Sequence, residues 1–135
     1  MTQTTEAPQQ TRDVPYYRIG EAEGTRRIAD AFYDIVEHDP AYARLRVLHP
    51  ADLTDTRQAL FEFLSGWLGG PPLYHDNPKR GCIMSAHAGV AIDADLREMW
   101  VRAMRQALVD AGLTAEMRAF LDAPFARIAE AMRNR

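Results

Sequence analysis

Leu60, Phe63, Leu64, Trp67 and Leu68 stand at i, i+3, i+4, i+7 and i+8, and the run stops at Gly69-Gly70-Pro71-Pro72. Residues three and four apart share one side of an α-helix. These five large apolar groups therefore form a continuous stripe that must be buried against another element. The two glycines and two prolines end the helix sharply, because glycine accepts left-handed backbone and proline brings no N–H. Thr54 or Asp55 is expected to cap its start.

The same period recurs along the chain. From about Gly24, Ile28, Phe32, Ile35 and Val36 share a face, and Asp39-Pro40 ends that helix because a residue before proline avoids helical geometry. A short helical turn is expected around Ala41–Leu48, stopping at His49-Pro50. Leu73 to Gly89 reads as a long loop with at most one short helix. Asp93 then caps a helix with Leu96, Trp100, Met104, Ala107 and Leu108 inward, and Gly112 ends it. Thr114 opens a last helix with Met117, Phe120, Leu121, Phe125, Ile128 and Met132 inward. Pro124 lies inside that pattern and predicts a kink, or a break near Asp122. Few strand-like alternations remain, so the fold class is all-α.

The 135 residues, 47% of them hydrophobic, are enough for one compact domain and too few for two. Residues 1–13 are Thr/Gln-rich and predict a disordered tail, leaving 14–135 as a single domain. The net charge of −3, with no cluster of Lys or Arg, gives nucleic-acid binding no electrostatic support. No apolar run approaches the ~18 residues of a membrane span, and the N-terminus lacks an apolar signal core. A cytoplasmic protein is expected, as monomer or homodimer. The lone cysteine, Cys82, excludes an internal disulfide and reads as a buried, inert thiol.

His87 follows the mostly apolar run Cys82-Ile83-Met84-Ser85-Ala86 and sits in sequence between the segments ending at Leu68 and beginning at Leu96. One imidazole between apolar walls is the way a histidine ligates haem iron. A lone histidine is more often an ordinary surface or core residue, and His38 and His75 lie in polar surroundings that fit that description. Trp100 and Tyr33 likewise read as core aromatics unless their polar ends meet a ligand.

Several segments together resemble the group II truncated haemoglobins, from about Tyr17 to Asn134. They are Phe32-Tyr33, Leu48-His49-Pro50, Phe63-Leu64-Ser65-Gly66-Trp67-Leu68-Gly69-Gly70-Pro71, His87 and Trp100. The resemblance implies a truncated globin, a two-over-two helical sandwich enclosing non-covalent haem b. It makes His87 the iron ligand and Tyr33, Trp100 and His49 the residues facing a diatomic ligand. Bound oxygen carries partial negative charge, which Tyr33 O–H, Trp100 N–H and a suitable His49 tautomer would stabilise. Thr56 falls where the distal helix faces the iron and would add one weak hydrogen bond. Leu60 and Phe63 would be apolar walls.

The chain departs from the family at several places. Members often carry Arg or Lys at the positions of Ala59 and Ala86 to pair with haem propionates, and Arg57, Lys79 and Arg80 are the nearest substitutes in sequence. The arginine-rich pattern before the histidine and the Pro-Phe pattern after it are also missing. Cys82 does not form the C-x-x-C-H pattern of covalent haem attachment.

The resemblance implies reversible binding of O2, and of NO, CO or peroxide. A haem redox enzyme of NO dioxygenase or peroxidase type is the alternative. It needs a separate reductase, because the chain carries no dinucleotide-binding fingerprint. A third reading is a helical interaction module without haem.

Overall fold

The computed structural model describes residues 13–135, without the Met84 side chain. The expected tail, 1–13, lies outside the described residues except for Asp13. The described residues are helical, with no strand. In order they form α1 (Pro15–Arg18), α2 (Glu21–His38), a 3₁₀ turn (Pro40–Tyr42), α3 (Ala43–Arg46) and α4 (Thr54–Trp67). Then come α5 (Leu73–Asp76), α6 (Ile83–Ala88), α7 (Ala94–Asp110) and α8 (Ala115–Met132). No helix among them is long and apolar enough to cross a membrane.

Helix α2 packs on both α4 and α7, and α7 packs on α8, giving two helix pairs laid over each other. Ile28, Phe32 and Val36 form the buried stripe of α2, with Leu64 and Leu68 of α4 and Leu96, Met104 and Leu108 of α7 against it. Helix α2 begins at Glu21, not near Gly24. Gly24 is an interior residue kept small by contact: a Cβ there would lie 1.8 Å from the carbonyl oxygen of Ile19.

The start of α4 departs from the expected cap. Asp52, not Thr54 or Asp55, accepts from Thr54 N at 2.9 Å and from its hydroxyl at 2.7 Å. Its far end is as the glycine pair implied. Gly69 takes φ 98°, Gly70 N donates to Ser65 O at 2.8 Å, and a Cβ on Gly70 would strike the Tyr16 ring. Asp93 caps α7 through Leu96 N, and Thr114 caps α8 through Met117 N.

One expectation for α8 fails, and of the two offered for Pro124 the break does not occur. The buried ridge runs Met117, Leu121, Phe125, Ala129 in steps of four, and Phe120, one residue short of it, is 63% exposed. The helix also continues through Pro124 without a break. The carbonyl that Pro124 leaves without a partner belongs to exposed Phe120, where water can satisfy it.

Candidate functional site

His87 lies on the short helix α6 and is partly buried. Its Nδ1 is 2.8 Å from the carbonyl oxygen of Ile83, one turn back. A carbonyl only accepts, so Nδ1 carries the proton and donates it. In the neutral ring this leaves the Nε2 lone pair free, the form that ligates metal, with its tautomer fixed by the backbone. Among the described residues no group of three His, Cys, Asp or Glu could hold a metal ion. A metal at His87 must therefore bring most of its ligands with it, as an iron porphyrin does.

Aromatic rings line the interior from α3 to α8. His49 meets Tyr33 edge-on at 5.5 Å between centroids, and Tyr33 meets Phe32 at 5.0 Å. Phe32 meets Trp100 at 5.6 Å, Trp100 meets Phe125 at 5.9 Å, and Phe125 stacks on Trp67 at 4.3 Å. Tyr33 is buried, yet neither its hydroxyl nor the Trp100 indole N–H has a hydrogen-bond partner among the described residues, and neither atom is sealed away from solvent-sized space. Burial pushes the Tyr33 phenol well above its usual pKa, with Arg57 opposing weakly, so the hydroxyl stays a neutral donor.

His49 lies within electrostatic reach of His87. Its pKa is lowered by burial, against a backbone hydrogen bond to Leu45, with the charges of Arg46 and His87 lowering it further. Its Nδ1 lies 3.0 Å from Leu45 O and must donate there. The neutral ring therefore presents an Nε2 acceptor. The N–H that sequence reasoning assigned to it appears on that atom only after protonation.

Leu60, Phe63 and Trp67 of α4 are half-buried and pack on the core. Phe63 and Trp67 line an open cleft of about 610 Å³ with Tyr74, Ile83 and Arg80. That volume is within the roughly 300–1,000 Å³ of cofactor sites. A larger groove of about 1300 Å³ lies between Ile35, Tyr42, Leu108 and Ala119 and contains none of the predicted site residues. The smaller cleft adjoins the chemistry, since Ile83 supplies the carbonyl that orients His87. Thr56 is partly buried on the first turn of α4.

The bacterial-like globin family model matches residues 15–134. The group 2 truncated haemoglobin YjbI of Bacillus subtilis (strain 168) is 34% identical over 112 residues, which cover 83% of this chain and 82% of that protein. The chain belongs to the group II truncated globins. The cold-adapted truncated haemoglobin of the Antarctic marine bacterium Pseudoalteromonas haloplanktis TAC125 superposes with TM-score 0.86 at 36% identity, over 91% of this chain and 99% of that one. The group II 2-on-2 haemoglobin of the plant pathogen Agrobacterium tumefaciens gives TM-score 0.83 at 28% identity, over 98% of both chains. Globin membership implies haem, and the residues present fit it: a tautomer-fixed imidazole, apolar walls, and two donors without protein partners.

The cations expected at the haem propionates are each paired with carboxylates of the chain. Arg57 Nη1 donates to Asp30 O at 3.1 Å, and its Nη2 donates to Asp34 at 2.8 Å, so it ties α4 to α2. Arg80 is held by Asp55 and Glu62, and Lys79 by Asp55 at 3.1 Å. Sequence reasoning passed over Glu62, a buried acid on α4, and Phe125 and Trp67 as a stacked pair. The acid's position one residue off the apolar stripe was its only signal.

Proposed function

We propose that this truncated globin holds one non-covalent haem b on His87 and binds O2 and other diatomic gases reversibly. Haem supplies an iron with one position open to a gas. The chain's part is to fix that iron and to meet the gas with hydrogen bonds. His87 presents Nε2 because Ile83 O takes the proton on Nδ1. Tyr33 and Trp100 turn otherwise unpartnered donors into the interior, where a low dielectric strengthens bonds to a ligand that draws negative charge. Leu60, Phe63 and Trp67 exclude water from the cofactor's apolar faces. The single observation that carries this reading is the His87 imidazole itself, its Nδ1 tied to Ile83 O so that Nε2 is left for a metal.

Two neutral donors slow gas release, which suits scavenging, sensing or redox work better than transport. Titration of apoprotein with haem tests the reading. We expect one equivalent bound, a Soret band, and reversible spectral changes when the reduced protein meets O2 and CO. Absence of saturable haem binding would overturn it.

A further inference from the structure

The helix that carries His87 has little of its own to hold it. α6 is six residues long, its start has no side-chain cap, and Ser85, Ala86 and Ala88 face solvent. Its main packing partner is α8. In compensation, the chain is tied down on both sides of it.

Upstream, Arg80 is sunk into a cluster on the distal helix α4. The side chains of Arg80 and Glu62 are each 8% exposed. Arg80 Nε donates to Glu62 Oε1 at 3.0 Å, while Nη1 and Nη2 donate to the two oxygens of Asp55 at 2.8 and 3.0 Å. Glu62 also accepts from Gln58 Nε2 at 2.9 Å and from Asn77 Nδ2 at 3.1 Å. A planar guanidinium spanning two carboxylates fixes direction as well as distance. The segment entering α6 is thus pinned to α4.

Downstream, Asn134 clasps the segment leaving α6. Its Oδ1 accepts from Ile92 N at 2.8 Å and its Nδ2 donates to Val90 O at 2.8 Å. Its backbone N donates to Ile92 O at 2.9 Å. The segment after α8 therefore holds residues 90–92 by both side chain and main chain.

We propose that Arg80 and Asn134 are positioning residues for the proximal ligand: two latches, one on each side of α6, that set where His87 meets the iron. They act in place of a basic side chain on the helix itself, where this chain has Ala86. The inference rests on the haem reading above. It also explains why Arg80 lies beside the cofactor cleft yet is fully engaged by carboxylates.

The test uses Asn134→Ala, an exposed residue whose loss leaves the core untouched, with Arg80→Lys, which keeps the charge but cannot span both acids. Three readouts are compared with wild type. They are the iron–histidine stretching band of the reduced, gas-free protein, haem transfer to an acceptor apoglobin, and amide hydrogen exchange over residues 83–90. We expect a shifted or broadened band and roughly three- to tenfold faster haem transfer, the scale of one or two lost hydrogen bonds. Exchange should be faster in 83–90 while amides of α2 stay protected. Asn134→Asp keeps the acceptor for Ile92 and loses the donor to Val90, so it should fall between Asn134→Ala and wild type. Wild-type bands, transfer and exchange in both Asn134→Ala and Arg80→Lys would overturn the proposal. So would equal loosening of α2, which marks a merely structural role. If wild type binds no haem, the haem reading fails by itself, and exchange over 83–90 still decides the latches.

Discussion

His87 Nδ1 and Ile83 O lie 2.8 Å apart within a single turn of α6. That one contact determines which nitrogen of His87 is a base. Because the Ile83 carbonyl can only accept, the ring's free lone pair is placed on Nε2, on the side away from its own helix. Tyr33 and Trp100 bring the hydrogen-bond donors that the chain's own groups leave without partners among the described residues.

Trp100→Phe keeps an aromatic against Phe32 and Phe125 and deletes the N–H. Tyr33→Phe keeps the edge contacts and deletes the O–H. Each should speed oxygen dissociation by about tenfold, equivalent to roughly 1.4 kcal/mol for a hydrogen bond to a charged acceptor. Stopped-flow rates equal to wild type in both variants would show that these rings only pack.

His49 makes oxygen release pH-dependent in a window set by its lowered pKa. Burial, helped by the charge of Arg46 and opposed by the hydrogen bond to Leu45, holds its proton affinity below the ordinary value of 6.5. The neutral ring donates to Leu45 and offers no N–H to a gas. As pH falls below that value, Nε2 gains a proton and becomes a charged donor. Release should then slow at acid pH and be flat above about 6.5, the unperturbed histidine value. His49→Phe should abolish the acid limb. The check is the dissociation rate from about pH 4.5 to 8, bracketing that value. Identical profiles in the two proteins would remove His49 from the ligand's surroundings.

Ala86 is exposed and precedes His87, while Arg57, Lys79 and Arg80 are already paired. A basic residue at 86 should therefore add a propionate contact. Ala86→Arg is expected to slow haem transfer to an acceptor apoglobin by several-fold, on the order of 1 kcal/mol for one partly exposed ion pair. An unchanged transfer rate would mean that the propionates do not come within reach of that position.

Gly24 fixes how α1 enters α2. With Ile19 O at 1.8 Å from where a Cβ would stand, Gly24→Ala must displace backbone. A loss of about 1–3 kcal/mol is expected in denaturant unfolding, the usual scale of overpacking. Wild-type stability would show that the Ile19 turn yields freely.

Much of this was legible in the chain. The stripe from Leu60 to Leu68 and the Gly69-Gly70 stop describe α4 and its end, because helical period and glycine geometry are local properties. Asp93 and Thr114 cap as read for the same reason. The failures are tertiary. Phe120 fits the inward pattern of α8, but its exposure depends on which ridge α7 meets. The apolar stripe begins only at Ile28, so it did not mark the start of α2 at Glu21, and the contact of Gly24 with Ile19 comes from the turn joining α1 to α2 and not from any periodicity. At the site, the residue types at Tyr33, His87 and Trp100 were readable. The partners that define their chemistry were not: the Ile83 carbonyl fixes a tautomer, the Leu45 carbonyl turns His49 into an acceptor, and Asp55 and Glu62 claim Arg80.

The most direct test of the central claim is the absorption spectrum of haem-reconstituted His87→Ala beside wild type, with and without added imidazole. The account predicts a stable Soret band in wild type and loss of most haem in the variant. Free imidazole, filling the space the side chain left, should restore a wild-type-like ferrous spectrum. Full haem occupancy with an unaltered ferrous spectrum in His87→Ala, before any imidazole is added, would contradict it.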